Sequence, residues 1–145
     1  MSHLLDVNFL VALFDPRHVN HDTAHHWFGS RFSSDWATCS ITEAGCMRVL
    51  SNPAYPTVST TPIEVLRRLD QFCASGGHCF WPDDLSLRTA LEGELWDRLL
   101  GHQQLTDFHL AALAARWDGR LVTFDGRLRR SLEGTRLERA LILVQ

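Results

Sequence analysis

Residues 105–125 read LTDFHLAALAARWDGRLVTFD, and this stretch decides the fold class. Its first part is rich in alanine and leucine and predicts a helix over 106–117, because these residues favour helices. Its second part, Leu121 to Phe124, contains a β-branched run typical of a strand, and Asp125 follows it directly. A helix that leads into a buried strand is the repeating unit of α/β proteins.

The same alternation extends toward both ends of the chain. Strands are predicted at 3–5, 36–39, 78–81 and 140–144, and helices at 7–14, 21–32, 42–50, 61–75 and 86–100. In the last of these helices, leucine recurs at every fourth position from Leu87 to Leu99. We therefore expect one α/β domain over residues 1–145 with a mainly parallel central sheet.

Composition points to a compact intracellular protein. The chain has 145 residues, 45% of them hydrophobic and 21% charged, which is ordinary for a single globular domain. No apolar run approaches the roughly 20 residues that cross a bilayer, and the first residues lack a secretory pattern. The cysteines form no C-x-x-C pair, so free thiols in a reducing compartment are favoured. We expect a cytoplasmic location and no membrane partner.

Acidic residues follow predicted strands or open predicted helices at four places. In a parallel sheet these positions share one edge, where ligands bind. Each acid alone is compatible with helix capping, as in the Ser40-x-x-Glu43 pattern. The occurrence of all four on one edge favours a site for Mg²⁺ or Mn²⁺, because clustered carboxylates repel one another and suit hard cations. The candidate catalytic and metal-ligating residues are Asp6, Glu43, Asp107 and Asp125.

Other polar residues lie close to these acids in sequence. Asn8 is predicted either to hydrogen-bond a ligand or carboxylate, or to cap a helix. Arg48 lies about one helical turn beyond Glu43 and is predicted to pair with an acid or a phosphate. Arg127 begins an arginine-rich segment that either contacts phosphates or is solvated surface. The candidate substrate contacts, or supports of the acids, are Asn8, Arg48, Thr106 and Arg127.

At these positions the sequence resembles the PIN-domain nucleases, and more narrowly the VapC toxins of bacterial toxin–antitoxin pairs. The similar segments are LLDVN at 4–8, EAGCMR at 43–48 with Asn52-Pro53, LTDFHLAALA at 105–114 and LVTFD at 121–125. The resemblance implies a three-layer α/β/α fold and an endoribonuclease that uses Mg²⁺ or Mn²⁺. It also implies a homodimer with a cognate VapB-type antitoxin, and it places the four acids at the family's acidic positions.

The helix predicted over 21–32 allows two further interpretations. His21 and His25 have a spacing that suits zinc, but the sequence offers no evident third ligand, so a structural role is favoured. The aromatic residues Trp27, Phe28 and Phe32 are predicted to be core, or, where exposed, part of a dimer or antitoxin interface.

Two other functions are compatible with an α/β fold. One is a catalytically inert PIN-like binding or dimerisation module, which retention of all four acids disfavours. The other is a haloacid-dehalogenase-type phosphatase, which usually has a second aspartate where this chain has Asn8 and needs a basic residue, typically lysine. All 14 basic residues are arginine, and this also excludes a P-loop. Metal-assisted hydrolysis of RNA, leaving a 5′-phosphate and a 3′-hydroxyl, is the favoured hypothesis.

Overall fold

A computed structural model describes residues 2–31 and 35–145. Its five strands form one sheet in the order β3-β2-β1-β4-β5, and every pairing between neighbours is parallel. This confirms the predicted parallel sheet. The strands are β1 His3–Leu5, β2 Trp36–Thr38, β3 His78–Phe80, β4 Arg120–Thr123 and β5 Leu141–Leu143.

Helices connect these strands in the predicted alternation. Their bounds are α1 Val7–Phe14, α2 His21–Arg31, α3 Ser40–Ser51, α4 Pro62–Ala74, α5 Leu87–Ala90, α6 Leu105–Arg116 and α7 Gly126–Leu132. Short 3₁₀ helices cover Gly93–Arg98, His102–Gln104 and Glu138–Ala140. Phe32, predicted to end the second helix and to join its aromatic stripe, lies outside the described residues.

The helices cover both faces of the sheet. Neighbouring residues of a strand point to opposite faces, and β1 shows this with two completely buried leucines. Leu4 packs with Phe108 and other residues of α6, whereas Leu5 packs with Phe9 and other residues of α1 and α3. The two apolar clusters on either side of the sheet make the fold a three-layer α/β/α sandwich, as the resemblance implied.

The order of the strands determines where a ligand site forms. From β1 the chain moves outward to β2 and β3, and it then returns to place β4 on the other side of β1. The connections therefore diverge between β1 and β4, and a crevice opens there at the carboxyl ends of the strands. Asp6 follows β1 and Asp125 lies two residues after β4, so the two acids flank this point.

The helix predicted over 86–100 was wrong. The structure has only the short α5 followed by a 3₁₀ helix, whose first residue, Gly93, adopts a left-handed φ of 77°. Arg136 contributes to this break, because its guanidinium donates to the carbonyls of Ala90 and Glu92 at 3.0 and 3.1 Å. A continuous helix would need both carbonyls as acceptors.

The helix α7 was not predicted from the sequence. Asp125-Gly126 was interpreted as a turn dipeptide, and the arginines after it were interpreted without assigning an element. In the structure Asp125 caps α7, and the apolar Leu128 and Leu132 are buried against the sheet while Arg129 and Arg130 are exposed.

Candidate active site

Asp6 lies at the centre of the crevice with little contact with solvent. It ends β1 and caps α1, and its side chain is only 4% exposed. Its Oδ1 accepts from the backbone N–H of Val7 at 2.7 Å, and its Oδ2 accepts from the Thr123 hydroxyl at 2.7 Å. Burial, reinforced by the charge of Asp125, raises the pKa of this carboxyl above its usual value.

Thr123 joins three parts of the site. Its completely buried hydroxyl donates to Asp6 and accepts from the side-chain amide of Asn8 at 3.1 Å and from the backbone N–H of Asp125 at 3.1 Å. Asn8 also accepts from the backbone N–H of Phe124 at 3.2 Å. The start of α1 and the end of β4 are thus held together by one network, which fixes the separation of Asp6 and Asp125.

Asp125 is held by the helix that follows it. Its Oδ1 accepts from the backbone N–H groups of Arg127 and Leu128 at 2.8 and 3.2 Å, which is the N-cap arrangement. Capping and the predicted edge position are therefore compatible here, because the cap uses Oδ1 and Oδ2 has no hydrogen-bond partner in the described part of the chain.

Asp107 faces the other two aspartates from the first turn of α6. Burial, followed by the negative charges of Asp6 and Asp125, raises the pKa of this carboxyl to about 7. Because each neighbouring charge disfavours ionisation, the shift shows that the three carboxylates share one electrostatic environment. The structure therefore brings together three of the four predicted acids.

Glu43 occupies the same edge but is held toward β2 and β3. Its Oε2 accepts from the buried Thr38 hydroxyl at 2.6 Å, and Nε2 of His78 donates to the same Thr38 oxygen at 2.8 Å. Its charge acts on His78 and Cys73, and it is not among the causes that raise the pKa of Asp6 or of Asp107. The predicted Ser40-x-x-Glu43 capping box is not formed, since Thr42 performs that role at Cys39.

The donor chemistry of the aspartates fits a divalent cation. In the range 2–31 and 35–145, no group of three or more His, Cys, Asp or Glu side chains is arranged so that it could hold a metal ion. Mg²⁺ does not require such a group, because it commonly takes one or two carboxylates and keeps several waters. A cation between Asp6, Asp107 and Asp125 would also offset the repulsion that raises the Asp107 pKa.

A cavity of about 600 Å³ opens directly beside the acids. Asp107 and Asp125 form one side of it, and Phe108 and Leu128 contribute apolar surface. The loop around Gly101 closes the far side. The sequence did not predict this cavity. Leu100 was interpreted as the end of the helix predicted over 86–100, and the next residues of the loop were assigned to no element.

Three of the residues predicted to assist the acids are exposed. Arg48 lies on α3 beyond Glu43 and forms no ion pair within the described residues, so the predicted pairing with an acid is not observed. Thr106 lies in the first turn of α6 beside Asp107, with its side chain toward solvent. Arg127 is exposed and lines the cavity beside Asp125.

The histidines of α2 have a structural role. A ring nitrogen of His21 and one of His25 lie 2.8 and 2.9 Å from the carbonyls of Ala12 and Leu13, at the end of α1. Trp27 packs edge-on against Phe9 with ring centroids 5.4 Å apart, so it belongs to the core as predicted. Across the described ranges, no helix is long and apolar enough to span a membrane.

Comparisons with known proteins identify the family of this chain. The chain matches the PIN domain over residues 3–131. It is 48% identical over 128 residues to Ribonuclease VapC39 of Mycobacterium tuberculosis, an alignment covering 88% of this chain and 91% of that protein. It is 41% identical over 130 residues to Ribonuclease VapC44 of the same organism, covering 86% and 87%. The chain therefore belongs to the PIN domain family, and within that family it groups with the VapC ribonucleases.

A solved structure shows the same fold at lower similarity. VapC20 of Mycobacterium tuberculosis, described as a sarcin-ricin loop cleaving toxin, matches with a TM-score of 0.63 over 90% of this chain and 95% of that chain. The sequence identity is 14%, so this likeness concerns the fold alone.

Proposed function

We propose that this protein is a Mg²⁺- or Mn²⁺-dependent endoribonuclease and the toxin of a toxin–antitoxin pair. The observation that carries the proposal is the position of Asp6, Asp107 and Asp125 at the switch point of a PIN-domain sheet, where burial and then the charges of Asp6 and Asp125 raise the pKa of Asp107 to about 7. The similarity to ribonucleases VapC39 and VapC44 supports the same substrate class.

The proposed roles follow from the position of each side chain. Asp6, Asp107 and Asp125 would hold the cation, and Glu43 would complete the acidic edge from the β2 side. When bound, the cation supplies an activated water and polarises the phosphodiester. Thr123 and Asn8 keep the spacing of Asp6 and Asp125 fixed, so that the carboxylates need little reorganisation when the cation binds.

Arg127 is proposed to contact the phosphate backbone of the RNA. It is exposed beside the acids, and an arginine there would neutralise phosphate charge that the carboxylates repel. Attack by water, rather than by the 2′-hydroxyl of the RNA, would leave a 5′-phosphate and a 3′-hydroxyl. Products ending in a 2′,3′-cyclic phosphate would contradict this route.

The proposed partners are RNA, a cognate VapB-type antitoxin and a second copy of the chain, in the cytoplasm. The names of the relatives support the antitoxin, since VapC proteins are the toxin halves of such pairs. Co-expression with a cognate VapB-type antitoxin should relieve any growth arrest that the protein causes. Light scattering of the purified protein should give the mass of a dimer.

The first test compares the wild type with Asp6→Asn on a mixed RNA pool in EDTA, Mg²⁺ or Mn²⁺. We expect cleavage by the wild type only with metal, and a loss on the order of 100-fold in Asp6→Asn. The matched control is Asp97→Asn, which makes the same chemical change on the exposed 3₁₀ helix Gly93–Arg98. Equal cleavage by all three proteins would assign the activity to a contaminant, and no cleavage by any would favour an inert binding module.

A further inference from the structure

The cavity beside the acids has walls that suit a flat, uncharged group. Phe108 and Leu128 line it from α6 and α7, and Leu100 lines it from the loop with 85% of its side chain exposed. A volume of about 600 Å³ lies within the usual range for small-ligand sites. Leu100, Phe108 and Leu128 give the cavity an apolar part, which favours an uncharged group. The exposed Arg127 also lines the cavity, so a phosphate would lie at Arg127 and not in the apolar part.

The far wall of the cavity is braced by Gln104. Its Oε1 accepts from the backbone N–H groups of Leu100 and Gly101 at 2.6 and 3.1 Å, and its Nε2 donates to the Ser131 hydroxyl at 3.1 Å. Ser131 in turn donates to the carbonyl of Arg127 at 3.0 Å. The loop is thus fastened to α7, and the cavity exists before any ligand binds.

Two polar side chains on the rim remain available to a ligand. His102 and Gln103 line the cavity, both are exposed, and neither side chain makes a hydrogen bond within the described residues. The Gln103 amide offers a donor and an acceptor, the combination needed to read the edge of a nucleobase. Gln104 cannot do this, because its amide is already used within the protein.

We propose that this cavity, here named the base pocket, binds one unstacked nucleobase of single-stranded RNA next to the cleaved phosphodiester. Asp107 and Asp125 belong to both sites, so a nucleotide whose phosphate meets the acids places a neighbouring base in the base pocket. Leu100 contacts one face of the base, and the Gln103 amide hydrogen-bonds its edge. This inference rests on the proposed function and adds that the base pocket determines where the RNA is cut.

The first arm of the test measures binding without catalysis. Isotope-labelled protein in EDTA is titrated with a single-stranded hexanucleotide RNA and with analogues in which each position in turn is abasic. We expect amide shifts at residues 100–104 and 128–131 that one abasic analogue abolishes. Leu100→Ala should weaken binding roughly five-fold, because less apolar surface is buried against the base. Val19→Ala, at an apolar side chain 90% exposed on another loop, should not weaken it.

The second arm measures specificity. With Mn²⁺ on a randomised single-stranded RNA pool, the wild type should show a base preference at one position relative to the cut, and Gln103→Ala should relax that preference. An unchanged preference, or pocket shifts that survive every abasic analogue, would overturn the base pocket while leaving the nuclease intact. Because the first arm needs no cleavage, base-dependent binding without any cleavage would instead reject the proposed function.

Discussion

The Asp107→Asn substitution removes the carboxyl group whose pKa is raised to about 7. We expect it to stabilise the metal-free protein increasingly as pH rises from 3.8 to about 7, and by a constant amount above that. The ordinary pKa of 3.8 applies to the unfolded chain, so between these two values the folded state holds more protons than the unfolded state. The free energy of unfolding of the wild type therefore falls as pH rises through this window. Asparagine has no such proton to lose.

The size of the effect follows from the same two values. The interval between 3.8 and about 7, at about 1.4 kcal/mol for each pH unit, sets a ceiling of about 4 kcal/mol. Asp107 is only partly buried, and solvent screens it from Asp6 and Asp125. We therefore expect Asp107→Asn to raise the free energy of unfolding by about 1–2 kcal/mol above the window and by almost nothing below it.

Urea unfolding in EDTA at about pH 4 and about pH 8.5 measures the free energy of unfolding of each protein below and above this window. Asp97→Asn is the matched control, because it removes one charge from an exposed position. Addition of Mn²⁺ at the higher pH should stabilise the wild type and reverse the order of the wild type and Asp107→Asn. Equal stabilisation by Asp107→Asn at both pH values, or the same pH dependence in the control, would refute the electrostatic explanation.

Two further substitutions test how the site is supported. Thr123→Val should lower the free energy of unfolding by about 1–3 kcal/mol and weaken Mn²⁺ binding, because the hydrogen bond from the buried hydroxyl to Asp6 is lost. Thr123→Ser keeps a hydroxyl and should retain most of the stability in urea unfolding and most of the affinity in Mn²⁺ titration. Gly45→Ala should cost about 1–3 kcal/mol, because the new methyl would lie 2.5 Å from Val7 Cγ2. A methyl added at Gly29 would meet no atom within 4 Å, so Gly29→Ala should instead stabilise α2 by about 0.5–1 kcal/mol. Equal shifts of the melting temperature in the Gly45→Ala and Gly29→Ala proteins would contradict this packing explanation.

Strand and helix alternation was sufficient to predict the sheet and the edge on which the acids lie. The period of the apolar residues determines which faces are buried, and parallel strands place their carboxyl ends together. Asp6, Asp107 and Asp125 come together for this reason. Their metal-binding role, together with that of Glu43, stays a prediction.

The parts that were not predicted depend on contacts between distant residues. The leucine spacing from Leu87 to Leu99 is helical, but Arg136 takes the carbonyls that a helix would use, and no local pattern reveals this. Thr123 was missed because its hydroxyl reaches Asp6, which lies 117 positions away in sequence. The only signal was its place two residues before Asp125, on the strand beside β1.

The pairing of β1 with β4 has a consequence for the life of the newly made chain. Synthesis proceeds at roughly 5–20 residues per second from the N-terminus. β1 is therefore made well before β4, Arg120–Thr123, with which it pairs. Until β4 is made, Asp6 lacks the Thr123 hydroxyl and Asp125 has not been made. The acidic residues of a nascent chain therefore assemble only after Asp125 has been made and β4 has paired with β1.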